Sequence, residues 1–395
     1  MRKKIVILGS TSSIGKSLLD IIRKDKNKFK IELLTANTNY KDLINQAKKF
    51  NAKNLIITNP KCFEKASILC KNKKINVFQN FENLKKILPK KVDYAMSAIS
   101  GIGGLLPTYK IIKHTKKIAI ANKESIICGW NLINKQLKYY NTNFIPIDSE
   151  HFSINELIKN TNYKNIEKIY ITASGGPFLK RKLSNFKNIN VKNAIKHPNW
   201  SMGKKISIDS ATLINKVYEL IEAKKIFDLE YDKINILIQP SSYVHSVIKF
   251  YGGIIKVLIH DTSMKIPIFN SLYETNKINK SDVYIKNKLN LNLFNDLNFQ
   301  KVPSKKFPIH KILKLLPKSD SLFETVLVSA NDTLVDLFLV KKISYNNIHP
   351  FLNKILTLKE FQKYKYKVPK NINEILRLNE YVRLKTISLS VKSER

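Results

Sequence analysis

Lys4-Ile5-Val6-Ile7-Leu8-Gly9-Ser10-Thr11-Ser12-Ser13-Ile14-Gly15-Lys16-Ser17-Leu18-Leu19-Asp20-Ile21-Ile22 runs from an apolar stretch, through a glycine turn, into an amphipathic one. Residues 4–8 read as a β-strand, and Leu18, Leu19, Ile21 and Ile22 suit a helix packed on a sheet. A glycine turn at a helix N-terminus offers N–H groups and a positive dipole end to a phosphate. Two phosphate-binding patterns compete for this loop. The P-loop needs four residues between its glycines before Lys-Ser, whereas five separate Gly9 from Gly15. The dinucleotide fingerprint wants a middle glycine, which is missing. A plain tight turn is the third reading.

The same alternation recurs downstream. Strands are expected at 31–35, 54–58, 94–98, 117–121 and 143–147, with helical stretches between them. This predicts an α/β chain whose residues 1–148 form a doubly wound, Rossmann-like domain that binds a nucleotide. Ala36-Asn37-Thr38-Asn39, after the second strand, lacks the acidic residue that would bond the ribose of NAD, which favours NADP. Residues 149–273 read as an α+β catalytic domain. It has a strand at 168–172, a loop ending near Lys205, a helix at about 210–227, and a hairpin of 244–250 and 254–259 across Tyr251-Gly252-Gly253. Residues 274–310, polar and rich in Asn and Lys, read as a linker. A helical bundle is expected over 311–395, where Asn371 and Glu374 resemble a capping box.

With 395 residues, the chain exceeds one ordinary core. No apolar run approaches the roughly 18 residues of a membrane span. The opening Met1-Arg2-Lys3-Lys4 and its short apolar run are too brief for a signal peptide. Cys62, Cys70 and Cys128 make neither a disulfide framework nor a zinc pattern, so the cytosol is expected. The net charge of +40 suggests nucleic acid at first sight. The lysines are instead spread along the whole chain, and their abundance beside Asn and Ile looks like A·T-rich codon usage. The expected partner is a small molecule, with neither nucleic acid nor membrane.

Asp148-Ser149-Glu150-His151 follows the strand at 143–147, where ligands sit in open α/β sheets. In an extended segment, Asp148 and Glu150 point the same way and can reach one hard cation. The pair equally suits the first turn of a helix, and His151 suits a supporting or a surface position. Ser174-Gly175-Gly176-Pro177, after the strand at 168–172, can aim hydroxyl and backbone donors at an anion. Asn215 and Glu219 lie four apart on one helix face, while Lys216 and Glu219 could be only an i,i+3 ion pair.

The order of these segments carries more than any one of them. Ala121-Asn122-Lys123-Glu124-Ser125, Asp148-Ser149-Glu150-His151, Ser174-Gly175-Gly176-Pro177-Phe178, His197-Pro198-Asn199-Trp200-Ser201-Met202-Gly203 and the stretch 207–219 together resemble the 1-deoxy-D-xylulose 5-phosphate reductoisomerase family. The resemblance implies NADPH and a divalent ion, Mg²⁺, Mn²⁺ or Co²⁺, as cofactors, and a homodimer whose interface includes the hairpin. It implies Asp148, Glu150 and Glu219 as metal ligands, with Lys123 beside them in the catalytic centre. Ser149, Ser174, His197, Ser210, Asn215 and Lys216 would contact the sugar phosphate, together with Lys123, Glu150 and Glu219. Thr11, Ser12, Ser13, Ile14, Ala36, Asn37, Thr38, Asn122, Glu124 and Gly203 would contact NADPH, and 197–203 would be a mobile flap closed by Trp200.

Several positions depart from the family pattern. Ser12 stands at a usual glycine and is expected to restrict the loop. Asn37-Thr38 replaces Gly-Lys, Val217 replaces a glycine, Gln239 and Ser241 replace His and Gln, and His260 and Ser263 replace Gly and Asp, while His245 is retained.

Overall fold

Isoleucine- and valine-rich runs build the first of two sheets in the computed structural model, which describes residues 2–161, 163–273 and 290–391. Strands β1 (Lys3–Leu8), β2 (Phe29–Ala36), β3 (Asn54–Ile57), β4 (Asn76–Phe78), β5 (Tyr94–Ser97), β6 (Lys117–Ile120) and β7 (Asn143–Pro146) lie in the order β4-β3-β2-β1-β5-β6-β7. Every pairing is parallel. Helices cover both faces, so a central strand must be apolar on both sides, and Ile5, Val6, Ile7 and Leu8 are all fully buried. The strand order reverses between β1 and β5, which opens a crevice at their C-terminal ends. Strand β4 was not anticipated, because Asn76-Val77-Phe78 is too short for a period to register.

The chain forms two compact units, and they interleave along the sequence where consecutive blocks are expected. The first holds residues up to 125, 132–148 and the stretch from Met264. The helix Lys265–Tyr273 belongs there because its apolar face finds cover there. Ile268, Phe269 and Leu272 are buried in the same core as Ile5 and Leu18. Polar contacts fix its angle: Tyr94 Oη lies 2.8 Å from Ser271 Oγ, and Tyr273 donates to Asp25 Oδ2 at 2.8 Å.

The second unit holds 126–131, 149–263 and the chain beyond Leu289. Its sheet runs β11 (Ile255–Ile259), β10 (Val244–Phe250), β8 (Ile166–Ala173), β9 (Ile234–Ile238), β12 (Gln300–Lys301), with β8 and β9 parallel and the other pairs antiparallel. The helices Ser149–Leu157 and Ile214–Phe227 bury Ile154, Leu220 and Phe227 against Ile169, Ile171 and Ile248 of this sheet. The single helix expected at 210–227 is in fact two, Lys204–Ala211 and Ile214–Phe227. They part at Leu213, which takes a left-handed conformation (φ 60°) with its side chain buried. Apolar periodicity runs through the break, so nothing in the sequence marks it. Of the expected linker 274–310, residues 274–289 lie outside the described residues. The remainder contains the helix Leu291–Asn295 and β12, which pairs with β9.

The C-terminal region is helical, with Phe323–Leu339, Ile348–Leu356 and Ile372–Val391 as its main elements. No helix among the described residues is long and apolar enough to cross a membrane. The last helix starts as its sequence predicts. Asn371 Oδ1 accepts from Glu374 N at 2.9 Å, and Glu374 Oε2 reaches back to accept from Lys370 N at 2.9 Å. Asn371→Ala should cost about 1 kcal/mol. Amide exchange should then speed up roughly fivefold in the first turn of that helix. Unchanged exchange there would show that the cap contributes nothing.

Candidate active site

In the first unit, β1 ends in a turn that only glycine can make. Gly9 has φ 75°, and a Cβ there would lie 2.7 Å from Ala98 O, in the loop after β5. Two residues hold the loop from the side. Gly9 N donates to Thr35 Oγ1 at 2.8 Å, while Ser10 Oγ and Gln46 Oε1 lie 2.7 Å apart. Ser12 sits at φ −72°, an ordinary conformation, and its hydroxyl accepts from Gly15 N at 3.1 Å. The expected restriction therefore does not arise: serine is the N-cap of the helix Ser13–Lys24, a role it fills better than glycine. Thr11, Ser12, Ser13 and Ile14 thus lie at a helix N-terminus suited to an anion. Ala36, Asn37 and Thr38 follow β2, and Asn37 Oδ1 accepts from Thr58 Oγ1 at 3.1 Å.

After β6, Asn122 caps the helix Lys123–Tyr139 by accepting from Ser125 N at 2.6 Å, and its amide donates to Gly101 O at 2.8 Å. Glu124, in that helix's first turn, is buried. Lys123 is paired with Asp148, the last residue of this unit's second segment.

In the second unit, Glu150 lies in the first turn of a helix rather than in an extended segment. A serine and a glutamate at a helix start suit its dipole. Ser149 donates to Glu150 Oε2 at 2.6 Å. His151, fully buried, is no surface residue: its Nε2 lies 2.8 Å from Glu219 O. Lys216 Nζ lies 2.5 Å from both Glu150 Oε1 and Glu219 Oε2, and all three side chains are buried. Burial pulls the lysine pKa down, but the two carboxylates outweigh it and leave the pKa above its usual value. Asn215 donates to Glu219, and its buried Oδ1 has no hydrogen-bond partner among the described residues.

A short step along the same unit, Ser174 Oγ lies 3.0 Å from His197 Nε2 and accepts from Gly176 N at 3.0 Å. His197 Nδ1 accepts from Asn199 N at 3.1 Å and Trp200 N at 3.0 Å, so the ring proton sits on Nε2 and points at Ser174. Burial, with the nearby charge of Lys216, pushes the His197 pKa down to about 4 and keeps the ring neutral. Two donors already aim at Ser174 Oγ, which leaves its own proton for a ligand. A Cβ on Gly176 (φ 67°) would lie 2.8 Å from Ser210 O, so the serine loop rests on the end of the helix Lys204–Ala211. Gly203 is the N-cap of that helix.

Residues 197–203 are seated on the loop before β10. Asn199 Nδ2 donates to Pro240 O at 2.7 Å and Ser242 Oγ at 3.0 Å, and the Trp200 ring stands edge-on to His245. Sequence reasoning missed Thr35 and Gln46. Their partners lie 25 or more residues away, and no local pattern announces them.

Comparison with known proteins extends over nearly the whole chain. The family described as 1-deoxy-D-xylulose 5-phosphate reductoisomerase matches residues 5–129, its C-terminal domain matches 144–227, and the DXP reductoisomerase C-terminal domain matches 260–385. The 1-deoxy-D-xylulose 5-phosphate reductoisomerase of Pelagibacter ubique is 58% identical over 392 residues, which covers 98% of this chain and 100% of that one. The enzyme of the same name from Sulfurihydrogenibium is 38% identical, covering 98% and 97%. Among solved structures, a DOX-P reductoisomerase in complex with NADPH, fosmidomycin and magnesium superposes with a TM-score of 0.89 at 31% identity, covering 99% and 98%. The Zymomonas mobilis enzyme in complex with NADPH gives 0.85 at 29% identity, covering 99% of both chains. On this agreement of sequence, fold and residue order, the chain belongs to the 1-deoxy-D-xylulose 5-phosphate reductoisomerase family.

Proposed function

We propose that this chain uses NADPH and a divalent cation to rearrange and reduce 1-deoxy-D-xylulose 5-phosphate to 2-C-methyl-D-erythritol 4-phosphate, a step of isoprenoid precursor synthesis. Beyond family membership, the observation that supports it is the convergence of buried Glu150 and Glu219 on one ammonium. The two carboxylates bring buried oxygens together, and Asn215 Oδ1, which has no hydrogen-bond partner among the described residues, adds a further one. Such an oxygen-rich donor set suits Mg²⁺ or Mn²⁺. Glu150 and Glu219 would hold the cation, with Asp148, two residues before Glu150 in the chain, as the third ligand. When bound, the ion stabilises negative charge developing on the substrate's oxygens.

The remaining side chains bind and orient. Ser174 turns its hydroxyl proton toward the substrate phosphate, while neutral His197 fixes that hydroxyl's direction. Ser210, Asn215 and Lys216 complete the phosphate site, Ser149 braces Glu150, and Lys123 supports Asp148. The segment 197–203, seated through Asn199, excludes water from the reacting fragments. NADPH lies on Thr11, Ser12, Ser13 and Ile14, with Ala36, Asn37 and Thr38 toward the adenosine and Asn122, Glu124 and Gly203 as its further contacts, and its nicotinamide supplies the hydride. Cys62, Cys70 and Cys128 form no disulfide, which suits the cytosol.

The partner is a second copy of this chain. β11 is the edge of its sheet, and Tyr251, Ile254, Ile255 and Val257 of the hairpin are exposed. An exposed apolar edge strand is a natural pairing surface. In sedimentation at micromolar concentration the chain should run as a dimer, and Val257→Lys should shift it toward monomer. A wild-type chain that runs as a monomer sinks this interface.

Purified protein given NADPH, Mg²⁺ and 1-deoxy-D-xylulose 5-phosphate should consume NADPH. Asp148→Asn, Glu150→Gln and Glu219→Gln should each lower kcat about a hundredfold or more, because several kcal/mol of charge stabilisation rest on the cation. Raised Mg²⁺ should restore each only in part. Wild-type activity at low metal in any of the three removes that residue from the ligand set.

Thr38 leaves the adenosine end without the family's lysine. A charge-assisted hydrogen bond there is worth about 1.5–3 kcal/mol. Thr38→Lys should therefore tighten NADPH roughly tenfold and leave NADH nearly unchanged, as read by fluorescence titration. Equal tightening of both cofactors shows that residue 38 does not face the 2′-phosphate.

A further inference from the structure

We propose that Tyr345 and His349, in the C-terminal helical region, are positioning residues for phosphate recognition: they hold the turn that separates Ser210 from Asn215 and Lys216. This rests on the assignment of those three residues to the phosphate site.

The turn needs holding. The carbonyls at the end of the helix Lys204–Ala211 have no partner within the helix. Leu213 adds a left-handed conformation (φ 60°) that is unfavourable for a non-glycine residue. Both carbonyls are met from outside. Tyr345 Oη donates to Ala211 O at 2.6 Å, and His349 Nε2 lies 2.9 Å from Thr212 O. A carbonyl can only accept, so the His349 proton sits on Nε2. Burial pushes the His349 pKa down to about 4, consistent with a neutral ring. From the other side, Gly176 packs directly on Ser210 O.

Tyr345 also reaches the second phosphate loop. Its ring stands edge-on to Phe178, which ends the Ser174-Gly175-Gly176-Pro177-Phe178 segment, with centroids 5.1 Å apart. Phe186 and Phe338, each 5.9 Å away, fix the ring further. One buried tyrosine thus ties the Ser174 loop to the Ser210 turn. Helix Lys204–Ala211 has separate anchors: Asn331 Nδ2 donates to Asp209 Oδ1 at 2.7 Å, and Lys205 pairs with Asp332 at 2.9 Å. Losing the Tyr345 hydroxyl or the His349 donor should therefore loosen the turn and spare the fold.

Tyr345→Phe and His349→Phe remove the two donors while keeping ring volume, and His349→Gln restores a donor. In full-length protein, each Phe variant should raise KM for 1-deoxy-D-xylulose 5-phosphate about tenfold, the scale of one lost hydrogen bond, with kcat within about threefold. NADPH affinity should not move, and His349→Gln should recover most of the KM. Inorganic phosphate, titrated by its effect on the melting temperature, should bind correspondingly more weakly to both Phe variants. Unchanged KM and phosphate affinity with a lowered melting temperature would mean a purely structural role and overturn the proposal. If wild-type protein turns over no substrate, the assigned reaction fails by itself, and the phosphate titration still decides the clamp. A wild-type protein that does neither overturns both.

Discussion

The arrangement of the second unit depends on one buried ammonium. Lys216 sits between Glu150 and Glu219, each on a different helix, and its charge offsets the burial of both carboxylates, which also accept from Ser149 and Asn215. Removing one partner from such a cluster leaves an uncompensated buried charge, typically costing 3–5 kcal/mol. The same ammonium reaches further, since its field helps to keep His197 neutral, and neutrality gives the imidazole the acceptor on Nδ1 that seats Asn199 and Trp200. The Glu150–Lys216–Glu219 cluster, the Ser174 loop and the segment 197–203 are therefore electrostatically linked.

Much of the fold was legible because the signals were local. β1 and its glycine turn, the hairpin around Gly252-Gly253 and the Asn371 cap each declare themselves within a few residues. What stayed hidden depends on distant partners. No local pattern shows that Gln46 will meet Ser10, that Ile268 and Phe269 will pack beside Leu18, or that Leu213 will turn left-handed inside an unbroken apolar period. The order of motifs pointed to Glu150, Lys216 and Glu219. That Lys216 would pair with both carboxylates, and not with Glu219 alone, could not be read from an i,i+3 spacing.

Several departures from the family pattern are accommodated by ordinary packing, whereas the buried His260 Nε2 has no hydrogen-bond partner among the described residues. Ser12 turns a lost glycine into a helix cap. Val217 is fully buried in the helix that carries the site. Gln239 Nε2 donates to Ser241 Oγ at 2.7 Å, and Gln239 Oε1 accepts from Tyr243 N at 2.9 Å, so the Gln239 amide is bonded at both ends. His260 stacks on the retained His245 at 3.7 Å, on the side chain that backs Trp200.

The return of Lys265–Tyr273 to the first unit governs the order in which the protein can be made. When β7 leaves the ribosome, the parallel sheet has all its strands, but the surface that Ile268, Phe269 and Leu272 will cover is still bare. About 125 more residues must be synthesised before that helix emerges, which at 5–20 residues per second takes roughly 6–25 s. For that interval the nascent first unit carries an uncovered apolar surface that its own chain cannot yet close.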